Sequence, residues 1–169
     1  PADTALVIVD LQYASGSREH GLGRLLAEAG TLHDAEYRFA RIERLVVPNS
    51  KRLADGFRRL GAPVVYVTYG CERPDFADAP QQMRDWMVAI GNRRGAREHE
   101  IIDALAPRPG DIVLNKTTMG AFASTGIDAQ LRSLGRRNVV VTGVSTNNCV
   151  GMTAMEASDR QYGVVLVSD

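Results

Sequence analysis

Asn138-Val139-Val140-Val141-Thr142-Gly143, followed at once by Val144-Ser145-Thr146-Asn147-Asn148-Cys149-Val150, is the stretch on which the fold turns. Its first half shows no alternation of apolar and polar residues. A strand with one wet face alternates, whereas a continuous apolar run suits a strand covered on both faces, as in parallel sheets. Four other runs share this character: Thr4 to Val9 ending at Asp10, Pro63 to Thr68, Asp111 to Leu114 ending at Asn115-Lys116, and Gly163 to Val167. Stretches with helical features fall between them: Val47 to Leu60, Glu98 to Leu105, Thr125 to Leu134 and Asn147 to Gln161. Three of the joins repeat one grammar, helix then glycine then strand, with Gly61, Gly135 and Gly163 as the glycines. Such punctuation closes helices with a left-handed residue. Strands alternating with helices predict an α/β fold, a three-layer αβα sandwich around a parallel, Rossmann-like sheet with right-handed crossovers.

Two connections are longer than the rest. Residues 14–44 are polar and irregular and read as an excursion with some helix, lying over the active site. Residues 71–97 form a second, broken by Pro74 and Pro80. No repeat, low-complexity tract or linker divides the chain, so residues 1–169 read as one domain. The fifth run has no helix after it to cover its sheet, and a further C-terminal piece is therefore expected.

Composition narrows the function classes. Of 169 residues 44% are apolar, enough for a sizeable core. Lys plus Arg equals Asp plus Glu, 20 against 20, which argues against nucleic acid or an anionic membrane recognised by bulk charge. A small-molecule substrate in a local pocket fits better. Only Lys51 and Lys116 are lysines, so each is a rare choice in an arginine-rich chain. The two cysteines, Cys71 and Cys149, cannot build a disulfide scaffold, and no apolar run approaches the ~20 residues of a membrane span. A cytoplasmic protein with free thiols is the expectation. No histidine or cysteine spacing suggests a metal, and no cofactor is called for.

In open α/β sheets ligands sit beyond the carboxyl ends of the strands. Asp10, Lys116 and Cys149 all fall there. Taken singly, each has an ordinary explanation as turn residue, solvated lysine or buried apolar thiol. Together they supply a base, a positive charge and a nucleophile. Lys116 and a helix N-terminus would hold the thiol below the ~8.5 of a free cysteine. Gly143 lets the chain turn sharply after its strand, and backbone N–H groups then converge near the sulfur, as an oxyanion hole requires. His20, His33 and His99 are placed away from this rim, which speaks against a Cys–His pair.

Three segments in order resemble the isochorismatase-like cysteine hydrolases: Val7-Ile8-Val9-Asp10-Leu11-Gln12, Asn115-Lys116-Thr117-Thr118-Met119-Gly120-Ala121-Phe122, and Gly143 to Val150. The resemblance runs over the whole chain. It implies a six-stranded parallel sheet, a catalytic triad of Asp10, Lys116 and Cys149, and a cis peptide bond before Ser145. It also implies an oxyanion hole from the N–H groups of Ser145 and Cys149, and a homo-oligomer, dimer or tetramer. Nicotinamidase-like members carry an Asp-x-His metal site where this chain reads Thr68 to Asp75 without histidine, so a metal enzyme is not expected. Residues 72–80 resemble the biuret- and ureide-cleaving branch, although Met119 stands where that branch can carry a second lysine. The activity implied is cleavage of a C–N bond in a small amide or ureide through a thioester. The alternatives are an isochorismatase-type vinyl ether hydrolase or a binding domain with a relict site. Gln12, Tyr13, Trp86 and Phe122 are candidate pocket residues, with packing the preferred role for Phe122. Arg73 is a candidate carboxylate binder or a surface residue, and Cys71 is read as structural.

Overall fold

Five parallel strands, β1 (Thr4–Val9), β2 (Val64–Tyr69), β3 (Ile112–Lys116), β4 (Asn138–Gly143) and β5 (Gly163–Leu166), form one sheet in the order β3-β2-β1-β4-β5. This computed structural model describes residues 2–168. The resemblance implies six strands, and the described residues form five.

The sheet separates two cores by strand parity, because successive side chains point to opposite faces. Val7, Val9, Val65, Val67, Val139 and Val141 face one side. There they meet residues of α5 (Arg84–Ile90), α6 (Ile127–Ser133) and α7 (Gly151–Asp159): Met87 and Ile90, Ile127 and Leu131, and Ala157. Leu6, Ile8, Val64 and Tyr66 face the other side, against Val47 and Ala54 of α4 (Val47–Arg59) and Ile42 before it. That is the three-layer αβα arrangement.

Burial on both faces holds for β1 and β2, the interior strands beside each other. It fails at the edges, where Val113 of β3 is 50% exposed and Val165 of β5 is 57% exposed. An edge strand has one strand neighbour, and helices packed over the sheet centre cover it only partly. Apolarity in these runs thus records sheet membership rather than depth.

Two expectations need correction. Residues 14–44 are mostly helical rather than irregular: α1 (Tyr13–Gly16), α2 (Gly21–Glu28), a 3₁₀ turn (Leu32–Ala35) and α3 (Glu36–Arg41) follow in succession. A π-turn, Ile42–Val46, joins them to α4. Their starts lack side-chain caps, the signal by which a short polar helix is read from sequence. Conversely, Glu98 to Leu105 is no helix. It holds two 3₁₀ turns, Arg97–His99 and Asp103–Leu105, with Ile101 between them paired to Gln12 in an antiparallel bridge.

Candidate active site

Asp10 leaves β1 in a left-handed conformation, φ 53°, that non-glycine residues seldom adopt. The bend is held from several sides. The Asp10 N–H donates to Val67 O at 2.9 Å, and the Ser15 hydroxyl donates to the Asp10 carbonyl. Gly143 ends the neighbouring β4 at φ 129°, and a Cβ there would lie 2.0 Å from Val9 O. Only glycine allows this approach of the two chains.

Lys116 ends β3, and β2 lies between it and β1. Adjacent strands are ~4.8 Å apart, so the lysine must reach across nearly ~10 Å. Its long stem does so over the end of β2, with Nζ 4.0 Å from the centre of the Tyr69 ring. Nζ then donates to Asp10 Oδ2 at 3.0 Å and to Thr118 O at 3.2 Å, wholly sealed from solvent at 0% exposure. The loop that carries it is tied to α7: the Ala121 N–H donates to Thr153 Oγ1 at 3.2 Å and the Phe122 N–H to Glu156 Oε2 at 2.8 Å.

Cys149 lies in a π-turn, Thr146–Val150, that precedes α7 and contains the non-helical residue Asn148. The peptide bond between Val144 and Ser145 is cis. Asp10 Oδ1 is buried and free of a hydrogen-bond partner at good geometry among the described residues. The Cys149 thiol is near enough to act on that carboxyl, and Lys116 acts on both. Asp10, Lys116 and Cys149, which sequence reading grouped, therefore meet in space.

The electrostatics depart from expectation. Burial, with the Asp10 charge second, pushes the Cys149 thiol up to about 12. A depressed thiol does not result, because burial and the Asp10 charge outweigh the pull of Lys116, which lowers it. Burial also raises the Asp10 carboxyl, against the pull of Lys116. At rest the thiol is protonated and lies beside the Lys116–Asp10 pair.

Asp10, Cys149 and Ser145 line a cavity of about 220 Å³, walled by Leu22, Met83, Trp86, Ile90 and Met119. Trp86, one of the candidate pocket residues, is in the cavity wall, at 42% exposure. Gln12 lines the cavity too, but its amide is consumed in folding: it donates to His99 O at 2.8 Å and Tyr69 O at 3.2 Å and accepts from the Tyr69 N–H at 2.8 Å. Tyr13 is not in the cavity wall. Its ring lies under the Arg97 guanidinium at 3.8 Å and edge-on to His20. Phe122 likewise packs away from the cavity against Tyr162, ring centres 5.7 Å apart. Arg73 pairs with Asp75 at 2.8 Å on the surface. Cys71 is a buried free thiol in the core.

Sequence reading missed two residues. Asn92 reaches the cavity with Nδ2 donating to Tyr69 O at 2.6 Å and Oδ1 buried without a partner. Arg38, on α3, enters the cavity from residues read as irregular. Nothing in its local sequence distinguishes it among 18 arginines.

No group of three His, Cys, Asp or Glu side chains that could hold a metal ion occurs among the described residues. None of their helices is long and apolar enough to cross a membrane.

Fold and cavity define an α/β domain with a buried acid, lysine and thiol at the carboxyl ends of parallel strands. An isochorismatase domain profile matches residues 4–169. A ureidoacrylate amidohydrolase of Rhizobium rhizogenes is 30% identical over 183 aligned residues, which take in 100% of this chain and 70% of that protein. N-carbamoylsarcosine amidase from Thermoplasma acidophilum superposes with a TM-score of 0.72 at 32% identity, covering 98% of this chain and 81% of its own. An isochorismatase family protein from Desulfovibrio vulgaris gives 0.77 at 28%, over 98% and 79%. The chain belongs to the isochorismatase family.

Proposed function

We propose that this protein is a cysteine-dependent amidohydrolase that cleaves a C–N bond of a small linear amide or ureide. The hydrolase class rests on the family and on relatives named for amide hydrolysis. The cysteine mechanism rests on one observation: the Lys116–Asp10 ion pair, 3.0 Å long, lies beside Cys149 in a cavity of substrate size.

In this reading Asp10 takes the thiol proton as Sγ attacks the substrate carbonyl carbon. The N–H groups of Ser145 and Cys149 receive the negative oxygen. Asp10 returns the proton to the departing nitrogen, the C–N bond breaks and a thioester remains. Water then attacks the thioester, giving its proton to Asp10, and the carboxylic product leaves as Sγ is protonated again. A thiol that titrates high at rest suits this sequence, since the thiolate forms only as substrate is attacked. Lys116 pulls Asp10 toward its ionised form in a site whose burial raises the carboxyl. The unpartnered Asn92 Oδ1 is an acceptor for a substrate N–H.

Ammonia release across a panel of carboxamides and ureides, 3-ureidoacrylate included, identifies a substrate. Rapid acid quench and mass measurement should then find an acyl adduct on Cys149. Turnover with no adduct, at a rate unchanged by Cys149→Ala, would overturn the mechanism.

A further inference from the structure

Arg38 is a cation without an anion. Its Nη1 donates to Ser145 Oγ at 2.8 Å and its Nη2 to Ser15 O at 3.1 Å. Its Nε is sealed from solvent and has no partner among the described residues. No carboxylate lies within ion-pair distance of it there, in contrast to Arg58, which holds Asp111 at 2.6 Å and Asp55 at 3.1 Å. Burial lowers the Arg38 pKa, and the one titratable neighbour that opposes this is Cys149. An uncompensated, largely desolvated guanidinium is costly, and proteins retain one where a ligand completes it.

The place of this charge matters. Arg38 and Asp10 are the charged side chains in the cavity wall, and the rest is largely apolar. Asp10 is neutralised by Lys116, while Arg38 is not neutralised at all. We propose that Arg38 is the specificity-determining residue of the site and binds a carboxylate carried by the substrate beside the bond that is cleaved. A planar guanidinium fork whose Nη1 and Nη2 each keep a second N–H matches a carboxylate. The Ser145 hydroxyl, which accepts from Nη1, orients that fork next to the nucleophile's turn. The proposal rests on the amidohydrolase reading for the word substrate, but the anion site itself does not.

Alkylation separates the two. Iodoacetate and iodoacetamide deliver the same carbon to sulfur and differ in carboxylate against carboxamide. Second-order rate constants at Cys149 of the intact protein are read by peptide mass spectrometry, with glutathione as the reference thiol. The iodoacetate-to-iodoacetamide ratio at Cys149 should exceed that of glutathione by ~10-fold or more, the scale of one charge-assisted hydrogen bond. Arg38→Gln should bring the ratio down to the glutathione value, and Arg38→Lys, which keeps charge without the fork, should retain part of it. A wild-type ratio equal to that of glutathione, or one unchanged by Arg38→Gln, overturns the proposal. The wild-type measurement decides even where a variant fails to fold. A protein that hydrolyses amides with no such ratio loses the Arg38 assignment alone. One that shows the ratio but hydrolyses no amide loses the amidohydrolase reading alone.

Discussion

The protein carries two buried free thiols, each a few residues past the end of a parallel strand, and they do not live in the same chemistry. Cys71 follows β2, and its backbone is stapled on both sides: its N–H donates to Asn92 O at 3.1 Å and its carbonyl accepts from the Arg94 N–H at 2.8 Å. Burial pushes its thiol up to about 11, and Asp78 is the next influence. Cys149 is pushed higher still, to about 12. Acidity therefore does not single out Cys149. Each thiol has a carboxylate beside it, Asp78 for Cys71 and Asp10 for Cys149. What distinguishes Cys149 is the Lys116 ammonium 3.0 Å from that carboxylate and a cavity in front of the sulfur.

The largest test of this contrast is Cys149→Ala, which should remove covalent chemistry and abolish ammonia release while leaving the melting temperature near that of the wild type. Retained turnover would favour proton work by the acid alone, as in a vinyl ether hydrolase. Next in size is Asp10→Asn, which keeps the shape and removes the base. The loss should be ~10²–10⁴-fold in kcat, and adding Cys149→Ala should cost little more, because the residues act in one sequence of steps. The pH profile is a gentler probe of the same carboxyl. Asp10 must be ionised to accept the proton, and burial raises its pKa, so the rate should climb with pH through a limb above the ~3.9 of an ordinary aspartate. A limb that persists unshifted in Asp10→Asn would assign it to another group. The smallest effect belongs to Cys71→Ala. Turnover should stay within ~2-fold, while the lost sulfur in the core lowers stability by ~1–2 kcal/mol, read from denaturant melts.

The strands were legible because Val- and Ile-rich runs without alternation have few other homes in a chain of this size. The acid, lysine and cysteine were legible because each closes or follows such a run. Arg38 was not legible, since its partners Ser15 and Ser145 come from distant parts of the chain and only tertiary packing gathers them. Tyr13 misled for the opposite reason. It follows Gln12 in sequence at the start of a helix, and the backbone turns its ring out of the cavity. The expected acidic thiol failed on points that sequence cannot carry: how deeply the sulfur is buried and that a carboxylate lies beside it.

The central position of β1 has a consequence for how the chain comes to be active. Its pairing with β4 runs from Thr4 with Asn138 to Val9 with Gly143, joining residues more than a hundred positions apart. During synthesis Asp10 is made first, then Lys116, and Cys149 last of the three. Contacts of such long sequence range form slowly and late relative to local helices. Until β4 docks beside β1, the Cys149 turn has no carboxylate to face. Under the proposed mechanism turnover therefore reports the completed sheet, and a fragment that ends before β4 would hold the acid and the lysine but lack the cysteine.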